Sequence, residues 1–393
     1  MPGYAPIPVL PDLYTWAEDE IIPAPYLRAS VAAAAQLLSA PPIFIGSQQA
    51  SDQSIPSASN TALTIDTDTW DSAAGHSPIT DAGRYYCRFP GYYLAETTVP
   101  LNCDTGPGNH VSALTGFSSA GGAVTWWGGG LIPNAQTGGE YAMPTASKLL
   151  QLVNAGPAGS ASADYITPGA YQDSGSAQST AITTSVWPQF QVTWVAALAG
   201  TAGLAVPANP AWPVPPDYIT SAFMNTNVTG AIAFLIYPPL MEACYAAGTA
   251  TLASSDSLAT VGTTLPLDTV VYDTYSAFDT TTYTWTAPAA GTYYTYGQMG
   301  FAGNTTSAVM AAGLTVTSAN YNGGSPVTLW EGSKAAAPAA ISDCATVRRR
   351  LRLNAGDTVA LAGMQHDTGG NAVTLQGSGN AWVNRLITIW RSA

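Results

Sequence analysis

Charge is what this chain has least of. Only 9% of its 393 residues are Asp, Glu, Lys or Arg, against roughly a quarter in ordinary soluble domains. It has two lysines, Lys148 and Lys334, which leaves no phosphate-binding loop of the Gly-rich, Lys-bearing kind. A net charge of −13 excludes the basic footprint that nucleic-acid wrapping needs. Three histidines, His76, His110 and His366, have no His, Cys or Glu two or four residues away, so no zinc-type ligand pair forms. Each reads as a surface-loop or interface histidine. Cys87, Cys103, Cys244 and Cys344 lack metal-ligand spacing and read as buried free thiols, with a Cys87–Cys103 bridge as the alternative. No Gly-x-Ser-x-Gly elbow occurs; Gly116 to Gly121 misses the spacing. The longest apolar run, Ala231 to Tyr237, ends at Pro238 and Pro239, far short of a membrane span. Met1 to Val9 has neither a basic residue nor an apolar core, so no signal peptide and synthesis in a cytoplasm are expected.

In place of charge stand 38 Gly, 29 Pro, 20 Tyr and 11 Trp among abundant Ala, Ser and Thr, the usage of a GC-rich coding sequence. Thr, Val, Tyr and Trp punctuated by Gly and Pro favour short strands and tight turns. The expected fold is therefore all-β. A surface so poor in charge is covered by Ser, Thr, Asn and Gln or buried in an assembly.

The chain repeats itself at a period near 200. Leu10-Pro11-Asp12-Leu13-Tyr14-Thr15 is answered by Pro215-Pro216-Asp217-Tyr218-Ile219-Thr220, and Pro41-Pro42-Ile43-Phe44 by Pro238-Pro239-Leu240-Met241. The strand signal at Ala62 to Asp71 matches that at Leu267 to Asp273, and Arg84 to Leu94 matches Tyr283 to Tyr294, with Gly91 and Tyr93 at Gly291 and Tyr293. FQVTW, ending at Trp194, matches LITIW, ending at Trp390. In FQVTW, Phe190, Val192 and Trp194 share one face, the pattern of a half-buried antiparallel strand. Asn354-Ala355-Gly356-Asp357 reads as a hairpin turn with Gly at positive φ. The spacing of strands and turns predicts two tandem antiparallel jelly-roll β-sandwich domains of roughly eight strands, each preceded by a short Pro-rich or helical segment. The expected divisions are 1–45, an N-terminal docking segment with a helix at 26–38; 46–200, the first jelly roll; 201–216, a stiff Pro-rich linker; and 217–393, the second jelly roll with its leading segment.

Few residues are candidates for a site. Asp66, Asp68 and Asp71 bring carboxylates close enough to suggest calcium. The simpler reading makes Asp66 and Asp68 the solvated side of a strand whose other face is Leu63 and Ile65. Arg348, Arg350 and Arg352 alternate along one strand face, as interface, as contact with an anionic polymer, or as a solvated face. Trp126 and Trp127 precede three glycines; they pack in a core or interface, or one stacks on a sugar ring.

Two resemblances follow from these motifs. Pro288-Ala289-Ala290-Gly291-Thr292-Tyr293-Tyr294, then Leu353-Asn354-Ala355-Gly356-Asp357-Thr358-Val359, then the closing strand, resemble the complement globular-head and tumour-necrosis-factor jelly roll. The first half shows the Pro90-Gly91-Tyr92-Tyr93 element but no clear Gly-Asp-x-Val turn. The opening Pro-Asp-Leu stretch, Ala-rich segment and Pro-Pro resemble the start of minor tail proteins of phages that infect actinobacteria. The resemblances imply a structural virion protein of a phage tail tip or baseplate that contributes to host-surface attachment. The alternatives are a capsid decoration or head-fibre protein and, more weakly, a cell-wall-degrading enzyme. They also imply a homotrimer, with other tail or baseplate proteins and host cell-wall glycan as further partners. No enzymatic activity, cofactor, metal, nucleic acid or membrane insertion is expected.

Overall fold

The computed structural model describes residue 37 and residues 41–102, 110–128, 132–133, 143–183, 186–198, 228, 230–247, 250–255, 261–300, 307–334, 344–367, 369–375 and 384–392. The expected helix at 26–38 (Leu37 apart), the linker 201–216 and Cys103 lie outside these. Among the described residues, sixteen strands are four residues or longer. The first eight are β1 (Ile43–Ser47), β2 (Thr67–Asp71), β3 (Gly91–Thr98), β4 (His110–Ser118), β5 (Thr125–Gly128), β6 (Thr145–Leu152), β7 (Tyr165–Gln172) and β8 (Gln189–Ala196). A seven-residue helix, α1 (Gly230–Ile236), precedes the second eight. These are β9 (Leu240–Cys244), β10 (Thr269–Asp273), β11 (Gly291–Gly300), β12 (Ser307–Thr317), β13 (Val327–Lys334), β14 (Cys344–Leu353), β15 (Thr358–Asp367) and β16 (Arg385–Ser392).

Both sets of eight make the same sandwich. One sheet runs β6-β3-β8-β1-β2 and its counterpart β14-β11-β16-β9-β10; the facing sheets carry β5-β4-β7 and β13-β12-β15, with shorter strands at their edges. The long pairings are antiparallel and stay within one half. The fold is two tandem jelly rolls. Alternation places Phe190, Val192 and Trp194 in the first core and Leu386 and Trp390 in the second.

The repeat extends to single hydrogen bonds. Tyr93 Oη donates to the Phe89 carbonyl at 2.6 Å, and Tyr293 Oη to the Ala289 carbonyl at 2.7 Å. Asp71 accepts the N–H groups of Ala73 and His76; Asp273 accepts those of Tyr275 and Phe278, at the same offsets. Ser72 Oγ and Thr274 Oγ1 each staple the start of the neighbouring strand, Ile43 and Leu240. Asp66 caps Gln49 and Ala50 as Asp268 caps Ala246 and Ala247.

The turn that the first half lacks in sequence is present in space. Asn354 N–H donates to the Asp357 carboxylate, and Gly356 N–H, at φ 89°, donates to the Ala287 carbonyl. In the first half Asn154 N–H donates to the Asp164 carboxylate and Gly156 N–H to the Cys87 carbonyl. Asn and Asp are ten residues apart in one and three in the other, so an insertion of seven hides the motif.

Several expectations need correction. Residues 43–45 belong to β1, and Phe44 is fully buried in the first core, so the docking segment cannot extend to residue 45. Pro41 and Pro42 stop just short of the ladder, which is why proline density does not exclude this strand. His76 is not a surface histidine: it is buried against the Phe44 ring, with Nδ1 2.7 Å from Asp68. Asp66 lies just before β2 and caps the Gln49 and Ala50 N–H groups, while Asp68 stays on the exposed side of β2, as the solvated-face reading has it, and also meets His76.

Candidate functional site: the seam between the two sandwiches

The main gathering of buried charge lies where the halves meet. The outer face of the β9–β16–β11 strip holds Leu240, Tyr296, Ile387 and Ile389, and these pack on Tyr92, Leu94, Leu149 and Val195 of the first half. Tyr92 and Tyr272 meet edge to face at 5.2 Å between centroids. Helix α1 pins both cores: Ile236 packs into the first and Phe234 into the second, 5.0 Å from the Trp390 ring.

Two ionic groups cross the seam. Lys148 on β6 pairs with Glu242 on β9, both almost wholly buried. Burial pushes the Lys148 ammonium down from its ordinary value, against the pull of Glu242. Arg385, fully buried on β16, donates to the Gly128 carbonyl of β5 at 3.2 Å and to Gln298 at 2.9 Å, and its repulsion lowers Lys148 further. The second group centres on Glu96 of β3. It accepts from Tyr294 Oη and Ser147 Oγ, each at 3.1 Å, and faces Arg348 at 3.6 Å; Arg348 also donates to Ser147 at 2.9 Å and lies over the Tyr296 ring. Burial raises the Tyr294 phenol and, to about 12, that of Tyr272. A cavity of about 320 Å³ opens in the seam, lined by Phe117, Trp127, Lys148, Glu242, Cys244 and Tyr272 among others.

The site residues expected from sequence separate here. Arg348 is a seam residue, whereas Arg350 and Arg352 are exposed on the same face of β14. Trp127 faces the cavity with the Lys148 ammonium 5.4 Å above its ring. Trp126, on the opposite face of β5, lies flat over Gly116 and Gly169, where any Cβ would strike its ring. Neither tryptophan sits at a loop tip. Lys148, Glu242 and Arg385 were missed, because a lone Lys, Glu and Arg in unrelated strands carry no spacing signal. Among the described residues no group of three or more His, Cys, Asp or Glu side chains could hold a metal ion, and no helix is long and apolar enough to cross a membrane. Cys87 and Cys244 are buried free thiols.

No protein-family model matches the chain, and no curated protein matches it. Among solved structures it is similar to the globular domain of zebrafish complement 1qA, at 17% identity and a TM-score of 0.29, over 39% of this chain and 98% of that one. It is similar to Eiger TNF from S. frugiperda at 14% identity and a TM-score of 0.29, over 39% and 94%. Murine APRIL gives 12% identity and a TM-score of 0.27, over 39% and 98%. Each of these likenesses covers two fifths of the chain, and the jelly-roll assignment rests on the sheet order above.

Proposed function

We propose that the protein is a non-catalytic structural component of a phage virion, placed at the tail tip or baseplate, where it assembles as a homotrimer and contributes to attachment to the host surface. The observation that carries the structural reading is the seam. Lys148, Glu242, Arg385, Glu96 and Arg348, five of the chain's 24 acidic and 11 basic residues, join the two sandwiches across it. A buried ion pair adds little net stability but is costly to leave half-made, so the seam favours one placement of the two sandwiches, which suits a building block whose faces must meet other subunits. The charge-poor surface suits burial in an assembly, and the sequence resemblance to minor tail proteins supplies the location. Host cell-wall glycan and neighbouring tail proteins are the partners this reading gives it. Purified particles imaged with gold-labelled antibody against the chain test the proposal. Label at the tail tip is expected; label on the capsid, or particles without the protein, would overturn it.

A further inference from the structure

The duplication makes the seam a template for a contact that one chain leaves unmade. Strand register fixes the equivalences. Phe44 pairs with Asp71 and Val192 as Met241 pairs with Asp273 and Thr388. Ile45 therefore occupies the place of Glu242, Trp70 that of Tyr272, and Gln189 that of Arg385. In the second half this outer strip is covered by the β5–β6 edge of the first: Glu242 is 1% exposed and Arg385 is 0%. In the first half the same strip is open, with Ile45 37% and Trp70 60% exposed and Gln189 exposed as well.

The complementary edge is open too. Leu150 pairs with Tyr93 as Leu351 pairs with Tyr293, so Arg349 stands where Lys148 does and Arg352 where Gln151 does. Lys148 is buried in the seam, whereas Arg349 is only half-buried and Glu331 and Arg352 beside it are exposed. Among the described residues, every chain thus carries one open receiving strip, β1–β2, and one inserting edge, β13–β14, that is open apart from Arg348, which the seam engages.

We propose that a second copy of this chain fills the strip: its β13–β14 edge docks on β1–β2 as the β5–β6 edge docks on β9–β10 within the chain. The occupant follows from continuity with the seam, since the edge that fits this strip in the other half is repeated, open apart from Arg348, in every copy. The side chains that would meet agree in chemistry. Gln151 borders Tyr272 in the seam, so Arg352 of one copy would lie against the Trp70 indole of the next, a cation–π pairing. The Lys148–Glu242 ion pair becomes Arg349 against Ile45, an aliphatic stem on an apolar side chain, with the guanidinium already paired to Glu331 of its own copy at 3.5 Å. The contact joins unlike surfaces, so repetition either closes a ring or grows a filament. Three copies closing would give a ring of six sandwiches, which deepens the self-association in the proposed function and rests on that part of it alone.

Purified full-length protein tests the contact without any virion, so the result is independent of where the protein sits in a particle. Light scattering of the wild type should give a multiple of the chain mass, and Trp70→Arg, which sets a guanidinium against Arg352, should return single-chain mass with an unchanged circular dichroism spectrum. W70C and R352C are then mixed and treated with a short bis-maleimide, wild type serving as the background control. Cross-linked dimer in the mixture, beyond that of either variant alone, is the expected result. Dimers of W70C alone would show face-to-face packing and overturn the proposal. A wild type that is monomeric at tens of micromolar would overturn it as well, leaving the strip to a different protein.

Discussion

Replacing Glu242 by Gln keeps the side-chain shape and removes the one anion between two buried cations. Glu242 is 1% exposed, its Oε1 is engaged by Lys148, and its Oε2 meets no protein donor. Breaking a buried pair by removing one partner costs about 3–5 kcal/mol, because the other charge is left uncompensated. Here the cost depends on which partner goes. Glu242→Gln strands Lys148 and Arg385, two cations that already repel. Lys148→Met leaves Glu242 near Arg385, whose Nε and Nη1 donate to no protein group and can turn to it. Glu242→Gln should therefore fall near the top of the range and Lys148→Met near the bottom. At about 2–4 °C per kcal/mol for a domain of this size, the losses in Tm are roughly 10–20 °C and 6–12 °C. Replacing Lys148, Glu242 and Arg385 together by Met, Leu and Leu should bring stability back to within about 2 kcal/mol of the wild type, since none of the three is then left as an uncompensated charge. Urea unfolding followed by tryptophan fluorescence, with calorimetry, reads all three. A Lys148→Met variant that loses as much as Glu242→Gln, or a triple variant no better than the worse single one, would refute the electrostatic account.

Tyr293→Phe takes the hydroxyl donor from the Ala289 carbonyl and should cost about 1 kcal/mol, whereas Tyr93→Phe leaves the Phe89 carbonyl the Cys87 thiol as a donor and should cost less; an equal or larger loss at Tyr93 in urea titrations would show that the thiol does not compensate. Burial pushes the Cys87 thiol up to about 12, so peptide mapping after iodoacetamide at pH 8 should find Cys87 unmodified in native protein and modified in urea; native labelling would place it at the surface. Burial pushes the Asp164 carboxyl upward, but the N–H groups of Asn154, Val153 and Ala120 outweigh it and hold the group below its ordinary value. A depressed folded value contributes stability above the unfolded value of about 4, and that stability is lost as pH falls through the lower folded value. Asp164→Asn should flatten the acid limb of a urea-midpoint profile between pH 2 and 6; an unchanged limb would show that the turn does not depend on the charge.

What sequence could reveal follows from range. Alternation in FQVTW and LITIW is local, and a sheet with one buried face writes it directly into the residues, so both closing strands were legible, whereas the order of strands in each sheet was not. The Gly356 turn was legible because its partners lie three residues apart. Its twin was not, since seven inserted residues separate Asn154 from Asp164 while the hydrogen bonds stay the same. His76 was misjudged for the same reason. Nothing near it in sequence reveals that Phe44 packs on its ring or that a turn brings it back to Asp68. The arginine stripe was legible as a face, but its division into a seam residue and two exposed ones depends on Glu96 and Ser147, more than 200 positions away.

The divergence between the halves is most informative where the fold is most alike. At equivalent places in one strip the first half carries Ile45, Trp70 and Gln189 and the second Glu242, Tyr272 and Arg385. The backbone register is common, so the difference is not imposed by the jelly roll. Glu242 and Arg385 suit a strip that is permanently covered, because each has its counterpart fixed by the same chain: Lys148 for one and the Gly128 carbonyl for the other. A charge placed at Ile45 would have no such guarantee, and whenever the strip was covered it would bear the full cost of desolvation unless a partner arrived with the matching charge. Neutral side chains at Ile45, Trp70 and Gln189 avoid that cost, while the Trp70 ring still offers a face to an arriving cation. The two strips therefore differ as a sealed contact differs from one that must tolerate water, and the chain carries one of each.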